Sequence, residues 1–128
     1  MIEIHPASML ALFFLLHFVA DYTLQGCLAN LKQKKWWDDQ IEKKMPISWS
    51  IYKYDYKCGL ACHGLYWSLV VCLPLLSTGG AEYAVNALIH GIVHALIDHA
   101  KANKNKINLI EDQMLHAAQI FFIWAVWL

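Results

Sequence analysis

Between Asn86 and His99 the chain reads NALIHGIVHALIDH, with His90, His94 and Asp98 recurring every fourth residue in an otherwise apolar run. On a helix each step of four residues turns the chain about 400° and climbs about 6 Å, so the three polar heads form one ladder on one face. An ordinary core helix does not carry such a ladder. The stretch reads as a membrane span bearing a metal or proton site, for which the other spans supply partners.

Composition points the same way. The 128 residues fit one domain by length, are 59% hydrophobic and have a mean hydropathy of +0.37, more apolar than a typical soluble domain. A soluble four-helix bundle would have to bury all faces of its helices, which a chain this short cannot arrange. Net charge is zero, which gives no argument for a nucleic-acid partner. Cys27, Cys58, Cys62 and Cys72 form no CxxC pair. Cys58 and Cys62 beside His63 could make a soft metal site, but reduced, packed thiols are the simpler reading. The first apolar run has no basic segment before it and contains His17 and Asp21, so it reads as a retained span rather than a cleaved signal.

The apolar runs predict an all-α fold of four transmembrane helices, at about 7–25, 58–77, 81–100 and 109–128, each near the roughly 20 residues that cross a hydrocarbon core. Met1 to Ile4 form a short tail, Pro6 suits a first helical turn, and Gly26 can end the first span. Cys27 to Lys57 is a polar connection in which Trp36, Trp37, Trp49, Tyr52, Tyr54 and Tyr56 sit among lysines. Such a mixture suits the headgroup layer, with Leu28 to Lys44 as a helix lying on the surface; a solvated loop packing its aromatics on the helix ends is the alternative. All ten basic residues are lysines, confined to Lys32–Lys57 and Lys101–Lys106. The positive-inside rule then makes both connections cytoplasmic and puts the two termini outside.

This topology brings the ionisable groups to one depth. His17 and Asp21 end span one, His63 begins span two, His94 and Asp98 end span three, and Asp112 and His116 begin span four. A charge facing lipid is unfavourable by about 2.5–3.5 kcal/mol at the membrane centre, so these groups turn inward to pair with one another or with a cation. His17, Asp21, His94, Asp98, Asp112 and His116 are the candidate metal ligands, with Asp112 also the candidate general base. Asp112 alternatively reads as a first-turn acid favoured by the helix dipole. His63 and His90 are additional ligands or relay groups, or simply satisfied histidines. Gln25 and Gln113 can orient ligands. His99 and His5 read as interfacial, and Glu111 as solvent-facing.

His17-x3-Asp21-x2-Leu24-Gln25, with Leu28-Ala29-x2-Lys32 after it, resembles the opening motif of the domain-of-unknown-function 3307 family of small bacterial and phage membrane proteins. His90-x3-His94-x3-Asp98 followed by Asp112-Gln113-x2-His116 resembles the family's later motifs, in the same order over nearly the whole chain. The Trp/Lys/Tyr connection is longer than the family's. The resemblance implies an integral membrane protein, of a bacterial inner membrane, and no particular chemistry. A looser likeness exists to membrane-bound metal-dependent hydrolases.

Mixed imidazole and carboxylate donors suit a divalent transition metal, zinc first, with manganese or iron as alternatives. The leading functional expectation is a membrane-embedded hydrolase. A metal-activated water would attack a phosphoester, ester or amide of a lipid or lipid-linked substrate reaching the site from the cytoplasmic leaflet. The partners expected are the bilayer and its anionic headgroups, which the lysines would attract, and a second copy of the chain. One alternative is an oligomeric ion or proton channel or transporter. The other is a non-catalytic phage or bacterial membrane protein stapled by a metal or ion pairs.

Overall fold

The computed structural model describes residues 4–44 and 51–128. The start of the expected tail (Met1, Ile2, Glu3) and Trp49 of the aromatic connection lie outside them. Among the described residues all regular structure is helical. Helix α1 (Pro6–Phe18) starts with Pro6 in its first turn, where a missing N–H costs nothing, and the His5 ring accepts from the Ala7 N–H at 3.2 Å. It runs into a π-helical turn, Val19–Thr23. Two short helices follow, α2 (Leu28–Leu31) and α3 (Lys34–Lys44). Helix α4 (Asp55–Val71) passes into a 3-10 turn, Leu73–Ser77, because Pro74 cannot donate to an α-helical ladder. Helix α5 (Gly80–Ala102) and helix α6 (Leu109–Trp127) complete the chain.

Helix α6 has a complete capping box. Asn108 Oδ1 accepts from the N–H groups of Ile110 and Glu111 at 2.8 and 3.0 Å, and Glu111 Oε2 accepts from the Asn108 N–H at 2.8 Å. Asn108→Ala removes both side-chain acceptances and is expected to cost about 1 kcal/mol. Thermal unfolding checks this, and Asn108→Asp should restore most of the loss.

The segment expected as one helix over Leu28–Lys44 is broken at Lys32 and Gln33. Asn103, from just beyond α5, holds the break: its Nδ2 donates to the Lys32 carbonyl at 3.0 Å and its Oδ1 accepts from the Lys34 N–H at 2.6 Å. The aromatics pack on the chain itself. Trp37 Nε1 donates to the Leu31 carbonyl at 2.8 Å, Tyr52 stacks on Trp37, and Tyr56 stacks on His99.

The long helices form a ring in the order α1, α4, α5, α6, with α4 against α5 the most extensive contact. That contact needs Gly64. A Cβ there would run into the Gly91 carbonyl and the Ala95 methyl, so only glycine lets the two backbones approach this closely. Gly59 does the same for α2, where a Cβ would strike the Leu31 carbonyl. These two contacts bring His63 next to His94 and carry Lys32 to the same place.

Apolar and polar residues are sorted in an unusual way. One half of the interior is apolar, built from Met9, Phe13, Val71, Cys72, Leu75, Ala87, Ile120 and Ile123. The other half is polar: His17, Asp21, His63, His94, Asp98, Asp112 and His116 are all buried. The outer faces carry Leu15, Leu65, Leu88, Ile92, Leu96 and Phe122, the last 70% exposed. Among the described residues one helical segment, Pro6–Thr23, is long and apolar enough to cross a membrane. Helix α4 has 17 residues, α5 carries its ladder inside, and α6 opens on Glu111, Asp112 and Gln113, which shortens or dilutes each apolar stretch.

Candidate metal centre

Three helices and the π-turn each present a donor to one point. Asp21 comes from the π-turn, His63 from α4, His94 and Asp98 from successive turns of α5, and Asp112 and His116 from successive turns of α6. Asp21, His63 and His94 form one buried trio of ligand atoms, and His94, Asp98 and His116 a second; within each trio all ligand atoms lie within 4.8 Å of one another. Either trio could hold a metal ion, and they share His94.

The centre of the arrangement is His63 Nε2. It lies 3.2 Å from Asp21 Oδ1, 3.2 Å from Asp98 Oδ2, 3.2 Å from His94 Nε2 and 3.1 Å from Lys32 Nζ. One ring nitrogen carries either a proton or a lone pair. As a donor it suits the carboxylates but opposes the ammonium; as an acceptor it suits the ammonium but opposes the carboxylates. A divalent cation held among these atoms would accept lone pairs from the rings and carboxylates and remove the conflict. The spacings fit. Ligands about 2.0–2.1 Å from a tetrahedral zinc are separated by about 3.3–3.4 Å. The longer edges, His94 Nε2 to Asp98 Oδ2 at 3.8 Å and to Asp21 Oδ1 at 3.9 Å, need a contraction of about half an ångström to reach that geometry.

His116 and Asp112 form the second half. His116 Nε2 lies 3.4 Å from Asp112 Oδ1 and 3.6 Å from Asp98 Oδ1, and both His116 Nε2 and Asp112 Oδ1 are buried without a hydrogen bond among the described residues. Asp112 Oδ2 is fully engaged, accepting from Lys101 Nζ at 2.6 Å and from Gln113 Nε2 at 3.1 Å. The Nδ1 atoms of His63, His94 and His116 are buried without a partner among the described residues, so each ring directs Nε2 to the centre.

Rings fix the donors. His94 is sandwiched between Trp67, centroid 4.2 Å away at 15°, and His116, at 4.3 Å and 27°. Trp67 also donates its indole N–H to His17 Nδ1 at 3.0 Å. Indole has only a donor, so His17 carries its proton on Nε2 and presents it to Gln113 Oε1 at 3.4 Å. His17 therefore begins a chain that runs through Gln113 to Asp112 and stands outside both trios. Its four-residue spacing from Asp21 predicts a shared face, but in the π-turn four residues make less than a full turn, and the two side chains join different partners.

The structure places the remaining expected residues at the margins. His90 is only partly buried; its carbonyl accepts from Gln119 Nε2 at 2.6 Å, and its ring belongs to neither trio. Gln25 lines a pocket at the mouth of the site. His99 stacks off the ladder. Cys58 and Cys62 are exposed while His63 is buried, so no thiol shares the centre. Lys32, Lys101 and Trp67 emerge as site residues that the pattern of apolar spans did not single out. Trp67→Phe keeps a ring against His94 and removes the donor to His17. It is expected to weaken metal binding about tenfold, at the lower end of second-shell losses, measured by competition with a chromophoric chelator.

No protein-family model matches the chain, and neither a curated protein nor a solved structure does.

Proposed function

We propose that this chain is an integral-membrane helical bundle whose buried His/Asp centre binds a divalent transition metal, zinc first, and hydrolyses a phosphoester presented from the cytoplasmic leaflet. The observation that carries the metal is His63 Nε2, with four polar atoms within 3.2 Å that no single protonation state satisfies. Zinc is favoured because the donors are imidazole and carboxylate at short spacings, while an oxygen-rich cage would suit calcium or magnesium. The membrane reading is supported by the polar half of the interior, where His and Asp side chains are buried, together with the large apolar side chains on the outer faces. The motif resemblance to the domain-of-unknown-function 3307 family belongs to the same proposal.

Hydrolysis is favoured over transport by the apolar layer of Met9, Phe13, Val71, Leu75, Ile120 and Ile123, which backs the polar centre and, among the described residues, is interrupted by the uncharged Ser68 and Gln119 rather than by a continued ladder of ionisable groups. A bound divalent cation would supply a water of lowered pKa and polarise the substrate oxygen. Asp112 Oδ1, buried and without a hydrogen bond among the described residues, would take that water's proton and return it to the leaving alkoxide as the P–O bond breaks. Gln113 and Lys101 hold its other oxygen and fix its direction.

The test is elemental analysis of detergent-purified protein. About one zinc per chain, lost in a His63→Ala, His94→Ala variant that still elutes as folded protein, supports the reading. Wild type that retains no transition metal after zinc and manganese are offered contradicts it.

A further inference from the structure

A pocket of about 290 Å³ opens beside the centre, lined by Gln25, Ala29, Lys32, Gln33, Asp98, Lys101 and Ala102. It is where solvent or a headgroup meets the buried cluster, because Asp98 belongs to both. Two ammonium groups stand in its wall, and both are turned onto site carboxylates. Lys32 Nζ is 2.6 Å from Asp98 Oδ2, and Lys101 Nζ is 2.6 Å from Asp112 Oδ2. The Lys32 side chain is 13% exposed, held there by the close approach of α2 over Gly59.

Lys32 and a metal need the same atoms. The ammonium contacts Asp98 Oδ2 and His63 Nε2, which are also donors at the proposed centre. A cation that takes both must release the lysine, whose flexible stem then leaves Nζ in the pocket. Charge balance changes with it. With imidazoles neutral, Asp21, Asp98 and Asp112 exceed Lys32 and Lys101 by one negative charge. A divalent cation turns this into an excess of one positive charge in a poorly solvated site, which calls for an anion.

We propose that this pocket is the subsite for a phosphate monoester group, and that Lys32 exchanges between two jobs: counter-ion of Asp98 in the metal-free protein, and ligand of the substrate phosphoryl oxygens once metal has taken Asp98. Lys101 stays on Asp112 and adds its field to the same pocket. The inference rests on the metal reading and names the substrate class for it. A lysine suits this exchange because its ammonium is a point charge on a long stem and serves a carboxylate or a phosphate without a fixed fork geometry.

The experiment uses the full chain in phosphatidylcholine nanodiscs, as wild type, Lys32→Met and Lys32→Arg. Calorimetry measures zinc binding, then inorganic phosphate binding to the zinc-loaded protein; a second set of nanodiscs contains phosphatidic acid. The expected result is that Lys32→Met binds zinc about tenfold more tightly, because no ammonium competes, and binds phosphate at least about tenfold more weakly. Lys32→Arg, which keeps the charge, should retain phosphate binding and guards against a folding defect in the methionine variant. Loss of the phosphate signal in phosphatidic acid nanodiscs assigns the pocket to a lipid headgroup, and an unchanged signal assigns it to soluble phosphate; both support the subsite. Zinc-loaded wild type that binds no phosphate, or Lys32→Met that binds it like wild type, overturns the inference and leaves the metal centre standing. Wild type that takes no zinc overturns both.

Discussion

Asp98→Asn is expected to cost about 100-fold or more in zinc affinity, beyond the 10–100-fold typical of a lost second-shell partner. Like His63, Asp98 meets four other groups of the centre, and it is the carboxylate that joins the two trios' surroundings. Its two oxygens lie 3.2 Å from His63 Nε2, 3.8 Å from His94 Nε2, 3.6 Å from His116 Nε2 and 2.6 Å from Lys32 Nζ. Asparagine keeps the shape but offers a neutral oxygen to the metal. It also leaves the Lys32 ammonium without its carboxylate in a mostly buried position. Breaking one partner of a buried pair costs about 3–5 kcal/mol, and solvent screening at the pocket mouth should bring the metal-free protein to the lower end of that range. The double variant Asp98→Asn, Lys32→Met separates the two effects. It removes the orphaned ammonium and should recover most of the stability, but of the metal affinity only the roughly tenfold that the lysine's competition accounts for, leaving it well below wild type. If Asp98 were only a structural counter-ion for Lys32, zinc binding in the double variant would match wild type.

Gly64→Val is expected to abolish the bundle rather than weaken the site. The new side chain would meet the Gly91 carbonyl and the Ala95 methyl on α5, backbone against backbone, with no flexible group to yield. Overpacking of this kind costs about 3 kcal/mol or more, and α4 against α5 is the main contact of the fold. Far-UV circular dichroism in detergent should retain helix, since each helix satisfies its own backbone. Thermal melting should lose cooperativity, and zinc binding should vanish with the separation of His63 from His94. Gly64→Ala is a milder probe, because one methyl group needs a smaller shift of α5. It should fold with reduced stability and a measurable drop in metal affinity.

Much of the helical architecture is legible in the apolar runs. The expected limits of the third and fourth spans, about 81–100 and 109–128, lie within two residues of those of α5 and α6. The convergence of Asp21, His63, His94, Asp98, Asp112 and His116 follows from placing polar residues at the same end of alternating helices. His90 shows the limit of the ladder argument. Each four-residue step overshoots a full turn by about 40°, so His90 sits about 80° from Asp98 around α5 and leaves the centre. His17 was displaced for a different reason. The π-turn that delivers Asp21 to His63 breaks the register that would have kept the two residues on one face.

Lys32 and Trp67 needed the tertiary structure. A lysine in a basic connection reads as solvated, and nothing local signals that Gly59 admits α2 closely enough to insert it. A tryptophan within a span reads as lipid-facing, yet Trp67 is fully buried because it serves both His94 and His17. Gly59 and Gly64 mark where α4 meets other backbones, Gly59 facing α2 and Gly64 facing α5, but neither partner is legible from the glycine alone. The break at Lys32 and Gln33 depends on Asn103, some 70 residues later, and could not be read locally.

X-ray absorption at the zinc edge tests the central claim most directly, because it reports the donor atoms themselves. The account predicts a shell of nitrogen and oxygen at about 2.0–2.1 Å, outer-shell scattering from two or more imidazoles, and no sulfur. Asp98→Asn should lose this signal. A sulfur shell at about 2.3 Å would move the metal to the exposed pair Cys58 and Cys62. That result, or a spectrum of hydrated zinc without imidazole, would contradict a metal held by the buried His/Asp centre.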